Sequence, residues 1–168
     1  MAATMPTGSR IQRSTGYALM SVLLVIVLMG IALVQASNTW STLRQREREE
    51  ELLRVGDKIR EAIANYYNQS PGDVKQFPQK LEDLLRDDRF PMPQRYLRKI
   101  YDDPMTDRPY WGTLHAPSGG IMGVYSLSAG KPFKTANFKP IYESFARKQY
   151  YIEWIFAYTP ESEMLGLQ

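Results

Sequence analysis

Residues 17–34 read YALMSVLLVIVLMGIALV, and how this stretch is packed decides the fold of the whole chain. Its eighteen residues carry no charge, and its only polar side-chain groups are the Tyr17 phenol and the Ser21 hydroxyl. As an α-helix rising 1.5 Å per residue it would measure about 27 Å, close to the roughly 30 Å hydrocarbon core of a bilayer. A helix buried in the core of so small a protein would keep one polar face, whereas this stretch is apolar all round. It is therefore expected to span a membrane. The rival reading is a cleavable secretory signal, because Val34, Gln35 and Ala36 place small or apolar residues where a signal peptidase selects them. Such a signal has an apolar region of about 7–15 residues, and this one is longer.

Working outward, no charge falls between Arg13 and Arg44. Arg10 and Arg13 precede the stretch, while Arg44, Arg46 and Arg48 follow it, so a bare count of basic residues favours keeping the C-terminal side in the cytoplasm. That rule weakens when the following domain is long, and the orientation adopted here puts the N-terminus in the cytoplasm and the C-terminal domain outside.

Beyond the charge run RQREREEE at 44–51, apolar residues recur at Leu52, Val55, Ile59, Ile63 and Tyr66. Spacings of three and four define an amphipathic helix with one buried stripe. The charge run reads as a solvated collar, with Glu50 and Arg54 as its attractive four-residue pair and with pairing between copies of the chain as a second possibility. No proline falls between Tyr17 and Pro71, and Pro71-Gly72 is a stop, so one helix over residues 17–69 is expected. Its length would be about 80 Å, too long for a small domain to bury. Gly30 is the weak point of its apolar half, suited to a close helix contact or to local unwinding.

Phe77 to Leu85 reads as a turn and a short helix, and residues 94–100 as a helical or irregular stretch. Strand character follows at 110–115, 121–128 and 150–158, with Gly119-Gly120 as a hairpin signal between the first two. In the third segment, alternation sets Tyr151, Glu153, Ile155 and Ala157 against Ile152, Trp154, Phe156 and Tyr158. A sheet of three short strands needs a cover, which the amphipathic helix supplies. The expected organisation is α+β. It has a basic leader at 1–16, a transmembrane half-helix at 17–36, an amphipathic half at 37–70, a connector at 71–109, an antiparallel sheet at 110–158 and a tail at 159–168.

The octapeptide RSTGYALM at 13–20 resembles the class III signal of type IV prepilins and type II secretion pseudopilins, in which a short basic leader ends in glycine before a hydrophobic helix. YDDPMTDRPYWG at 101–112 and GVYSLS at 123–128 resemble the Asp-Pro loop and the following strand of the major type II pseudopilin. The resemblance covers residues 16–158. It implies a pilin-like fold, a long N-terminal helix, half of it transmembrane, packed on a small antiparallel sheet. It also implies cleavage by prepilin peptidase between Gly16 and Tyr17, with N-methylation of Tyr17. Its further implications are storage in the bacterial inner membrane with a periplasmic head, and assembly with other pilin-like subunits on an inner-membrane platform. One departure stands at Ser21, where the family usually carries a glutamate that neutralises a neighbour's terminal amine. Certain minor pseudopilins also lack that glutamate, which turns the expectation toward a minor or initiating subunit. Some pseudopilins hold Ca²⁺ in a loop after this strand; here AGKPFKTANF at 129–138 has two lysines and no acid, and no such site is expected.

Composition narrows the other classes. The net charge is +3, and without Arg10 and Arg13 it is 19 basic against 18 acidic residues, or +1, so no face for nucleic acid is expected. With no cysteine there is neither a disulfide nor a thiolate metal site. The single histidine, His115, reads as a surface or hairpin-end residue, and no nucleophile elbow, phosphate loop or zinc-protease motif is present. No enzymatic activity, cofactor or metal is expected. Asp102, Asp103 and Asp107 could hold an ion, although turn aspartates more often bond to nearby backbone. The alternative function is a single-pass inner-membrane protein whose periplasmic domain binds a ligand or partner.

Overall fold

The computed structural model describes residues 15–160, without the side chains of residue 15 and of residues 32–41. Arg10, Arg13, the rest of the leader to residue 14 and the tail from 161 lie outside the described residues, as do the side chains of Val34, Gln35 and Ala36. The described residues are α+β: one long helix, α1 (Thr15–Asn68), three short 3₁₀ segments, and a three-stranded antiparallel sheet of β1 (Gly112–His115), β2 (Ile121–Tyr125) and β3 (Ile155–Ala157) in the order β1-β2-β3. It divides into two compact units, Met1–Thr42 and Leu43–Gln168.

In the second unit α1 follows the expected stripe: Leu52, Val55, Ile59, Ile63 and Tyr66 are all buried, joined by Ala62. Burying each such large side chain contributes on the order of 1.5–3 kcal/mol. The helix stops where the sequence places its breakers. The N–H of Ser70 bonds to the Tyr67 carbonyl, Gly72 takes φ +80°, and Lys75 Nζ donates to the carbonyls of Asn68 and Ser70 at 3.0 and 3.2 Å. A cation there satisfies helix-end carbonyls that have no N–H partner.

The sheet lies across this stripe. Val124 of β2 and Phe156 of β3 are partners in register, and both are fully buried. Phe156 reaches α1 at Gly56, where an added Cβ would sit 2.5 Å from its ring, so helix and strand close at a position only glycine permits. The hairpin between β1 and β2 forms around Gly119 and Gly120, both with positive φ, as the sequence predicts.

Three expectations are corrected in detail. β1 begins at Gly112 rather than 110, because the preceding residues close a turn bridged by Asp103 and Arg108. β2 ends at Tyr125 rather than 128, because the Ser126 side chain turns inward to bond with Asp103 and its oxygen caps the N–H of Ser128. Residues 150–158 are not one strand. Tyr151–Glu153 forms a 3₁₀ turn before β3, so Tyr151 is buried together with Trp154 and Phe156, and the period-2 alternation fails. The turn is set by Glu153, whose carboxylate accepts the N–H groups of Gln149 and Tyr150.

The Leu81–Leu84 segment is the expected short helix, in 3₁₀ form, whereas residues 94–100 are irregular. The Pro140–Arg147 3₁₀ segment, kinked at Tyr142, was not anticipated. It supplies Tyr142 and Phe145 to an aromatic cluster, with Phe145 stacked on Trp154 at 5.3 Å.

Candidate assembly surface

Among the described residues, the large apolar side chains of the first part of α1 are exposed. Tyr17, Leu19, Met20, all seven large residues of 22–28, Met29 and Ile31 are each more than half exposed, on every side of the helix. Charged or polar groups are the usual occupants of such a surface, and a contiguous apolar one marks contact with lipid or protein. The Ser21 hydroxyl donates to the Ala18 carbonyl at 2.8 Å, so the polar group at this position is satisfied within the helix and can enter an apolar medium. Among the described residues an added Cβ at Gly30 would meet nothing within 4 Å. Gly16 and Tyr17 lie in the first turn of α1, which begins two residues earlier than expected. The first N–H groups of a helix have no carbonyl partner, so this turn opens without breaking a full set of hydrogen bonds.

Among the described residues no helix is long and apolar enough to cross a membrane. The described part of the apolar stretch, residues 16–31, would measure about 24 Å, and the side chains that complete the expected span lie beyond it.

The charge run that follows is not a purely solvated collar. Arg48 pairs with Asp107 at 3.1 Å, tying α1 to the 103–108 turn. Glu49 is buried, and its carboxylate accepts the N–H of Phe133, the N–H of Lys134 at 3.2 Å and the Tyr151 hydroxyl at 2.6 Å. Gln45 Nε2 donates to the Lys131 carbonyl and to the Tyr151 oxygen. Residues 45, 48 and 49 thus fasten two loops to the helix. Arg54 pairs with Glu51, one turn back, and not with Glu50 as expected. Pairing at three residues suits the fork of the guanidinium, which holds both carboxylate oxygens.

The aspartates of the 101–112 loop do not converge. Asp103 is buried and accepts from Met105 N–H, Thr106 Oγ1 and Ser126 Oγ at 2.8–3.0 Å, the backbone-bonded role expected of a turn aspartate. Asp107, at φ +53°, faces Arg48, and Asp102 is exposed. Among the described residues no group of three or more carboxylates and imidazoles is placed to hold a metal ion. His115 is exposed at the end of β1, with Nε2 3.2 Å from Thr113 Oγ1.

Two polar clusters sit where α1 meets its neighbours. Asp57 accepts from Tyr142 Oη at 2.6 Å, Lys139 Nζ at 2.7 Å and Arg60. Burial works to raise its pKa, and these donors outweigh it and hold the carboxyl below its ordinary range. Burial, and then the bond to Asp57, push the Tyr142 phenol up. Asp87 is buried against Arg89, which also donates to Ser70 Oγ and the Tyr66 carbonyl and lies 3.6 Å over the Tyr66 ring. Here too burial is outweighed, by side-chain and backbone bonds from Arg89, and the Asp87 carboxyl is lowered. An open furrow of about 710 Å³ runs between the exposed face of α1, from Glu47 to Glu61, and residues 134–142, with Leu53, Phe138 and Tyr142 among its lining.

The sequence reading missed Gln45, Glu49 and Gly56, yet a signal for them existed. The series 45, 49, 52, 56, 59, 63 and 66 keeps spacings of three and four throughout, so two polar residues and a glycine lie on the buried face.

Comparison with known proteins does not extend this description: no protein-family model matches the chain, no curated protein matches it, and no solved structure matches it. What the fold defines is an α+β chain, a long helix with a small three-stranded antiparallel sheet.

Proposed function

We propose that this chain is a pilin-like structural subunit of a type II secretion pseudopilus or a type IV pilus. It is held in the bacterial inner membrane, cut by prepilin peptidase between Gly16 and Tyr17, methylated on Tyr17 and assembled through its N-terminal helix on an inner-membrane platform. The observation that carries the reading is the all-round exposure of the large apolar side chains from Tyr17 to Ile31. In water this surface would be strongly unfavourable, at about 25 cal/mol per Å². Lipid before assembly and sister helices afterwards both remove it from water. Ser21, bonded to its own helix, supplies no counter-charge for a neighbouring amine, which favours a minor or initiating position over the bulk subunit.

Intact mass and N-terminal sequencing of the protein from cells containing prepilin peptidase test this. A chain beginning at methylated Tyr17 is expected; one that keeps Met1, or begins at Ser37, rejects it. The furrow of about 710 Å³ supports one second reading, a single-pass membrane protein whose outer domain binds a partner there. That reading predicts no cleavage behind Gly16.

A further inference from the structure

The end of the head at which α1 enters carries cations before it carries any acid. No charge falls between Arg13 and Arg44, Arg44 and Arg46 come next, and the first carboxylate is Glu47. Gln45 Nε2 holds the Lys131 carbonyl at 3.0 Å, which sets a third cationic residue at the same height on the helix. Arg44, Arg46 and Lys131 are exposed and form no ion pair among the described residues. The remaining charges near this end are engaged or stand farther along. Arg48 pairs with Asp107, Glu49 is turned inward on two N–H groups and Tyr151, and Lys134 Nζ lies 5.4 Å from the centre of the Phe138 ring. Asp102 and Arg108, both exposed in the turn that Arg48 holds, are of opposite sign. Glu47 and Glu50 follow Arg46 on the helix and line the furrow.

We propose that this end of the head docks on a lipid surface, with Arg44, Arg46 and Lys131 taking the phosphates of anionic headgroups. The inference rests on the membrane reading of the apolar stretch. Arg44 lies eight residues beyond Ala36, which at 1.5 Å per residue sets it about 12 Å past the end of the expected span, and Arg46 about 15 Å. The headgroup layer is about 5–8 Å deep on each side of the hydrocarbon. Helical side chains lean toward the N-terminus, here toward the bilayer, so both guanidinium groups come within a screening length of about 8–10 Å of that layer. Two residues turn a helix by about 200°, so Arg44 and Arg46 leave α1 on opposite sides, and headgroups surround a crossing helix on all sides. The guanidinium fork suits phosphate oxygens, and Lys131 extends the patch from the helix to the loop that Glu49 fastens. The acids begin only behind these cations, so the nearer charges set the sign that the bilayer meets. A zwitterionic headgroup brings its own cation and gains little here; the contact needs anionic lipid in the leaflet that the head faces.

The full-length chain, reconstituted in phosphatidylcholine bilayers, is tested by spin resonance with trace spin-labelled phosphatidylglycerol or phosphatidylcholine. The motionally restricted fraction of each lipid reports its contact with the protein. The expected result is a several-fold preference for phosphatidylglycerol at low salt that shrinks in about 1 M salt. Changing Arg44, Arg46 and Lys131 together to Gln should remove most of that preference. Changing Lys58, Arg98 and Lys99 together to Gln takes the same charge from exposed residues around Tyr101, where Lys58 lies 14 residues, or about 21 Å, farther along α1, and should leave it. If both lipids are restricted equally, or if the two triple changes act alike, the docking is wrong and the membrane reading stands. If neither lipid is restricted, both fall.

Discussion

Tyr151 donates its hydroxyl to the buried carboxylate of Glu49 at 2.6 Å, joining the turn before β3 to α1 across 102 positions of sequence. The same carboxylate holds two consecutive N–H groups of the 131–138 loop, so one side chain organises a loop, a turn and a helix.

Replacing Glu49 with alanine leaves the Tyr151 hydroxyl and the N–H groups of Phe133 and Lys134 without their acceptor. The Tyr151 hydroxyl is buried and an unmet buried donor costs about 1–3 kcal/mol, while the Phe133 and Lys134 N–H groups are closer to water and lose less, so Glu49→Ala is expected to lower stability by roughly 2–4 kcal/mol, with Glu49→Gln losing less because its carbonyl still accepts. Thermal unfolding of the detergent-solubilised chain measures this, and proteolysis should cut first within 131–138. An unchanged melting temperature would show that water replaces the carboxylate at no loss.

Gly56→Ala gains helix propensity, worth about 1 kcal/mol, and drives a methyl group into the Phe156 ring. Overpacking of a close-fitted core costs about 1–3 kcal/mol, so a net loss of up to about 2 kcal/mol is expected. Combining it with Phe156→Leu should cost less than the sum of the two single changes, and strict additivity in that cycle would mean that the two sites do not touch.

Acid should destabilise the head through Asp57 and Asp87. Both carboxyls titrate below their ordinary range when folded, so their contribution is complete above the unfolded value near pH 4 and is lost as pH falls through the folded pKa. Unfolding followed from pH 7 to pH 2 should therefore show stability falling below about pH 4. Asp87→Asn should be less stable at pH 7 and flatter across that range, whereas a slope as steep as that of the parent chain would remove Asp87 from the explanation.

The Arg48 and Asp107 pair is exposed on both sides, and such pairs are worth at most about 1 kcal/mol. Arg48→Gln is expected to shift stability by less than that amount at low salt and not at all in about 1 M salt, where the screening length is near 3 Å. A larger or salt-independent loss would mean that Arg48 holds the 103–108 turn by packing.

The sequence exposed α1 and its apolar stripe because helix period, proline-free length and the Pro71-Gly72 stop all agree over 54 residues. Positions fixed by long-range contacts were harder to read. Glu49 reads as one of many surface charges until the loop that it binds, 84 residues away, is in place. Tyr151 broke the strand pattern because Glu153 captures two N–H groups and tightens the backbone into a 3₁₀ turn. Gly16, Tyr17, Ser21 and Gly30 have no such long-range contact among the described residues, so the fold adds little to what the sequence said of them.

The proposed assembly requires every face of the apolar half-helix to be covered. Single cysteines placed in turn at residues 19–31 of the full chain, in intact membranes and filaments, can be challenged with a membrane-impermeant thiol reagent. Protection at all positions, with no repeat every three or four residues, is the predicted result. Reactivity along one face, as on an ordinary half-buried surface helix, would contradict it.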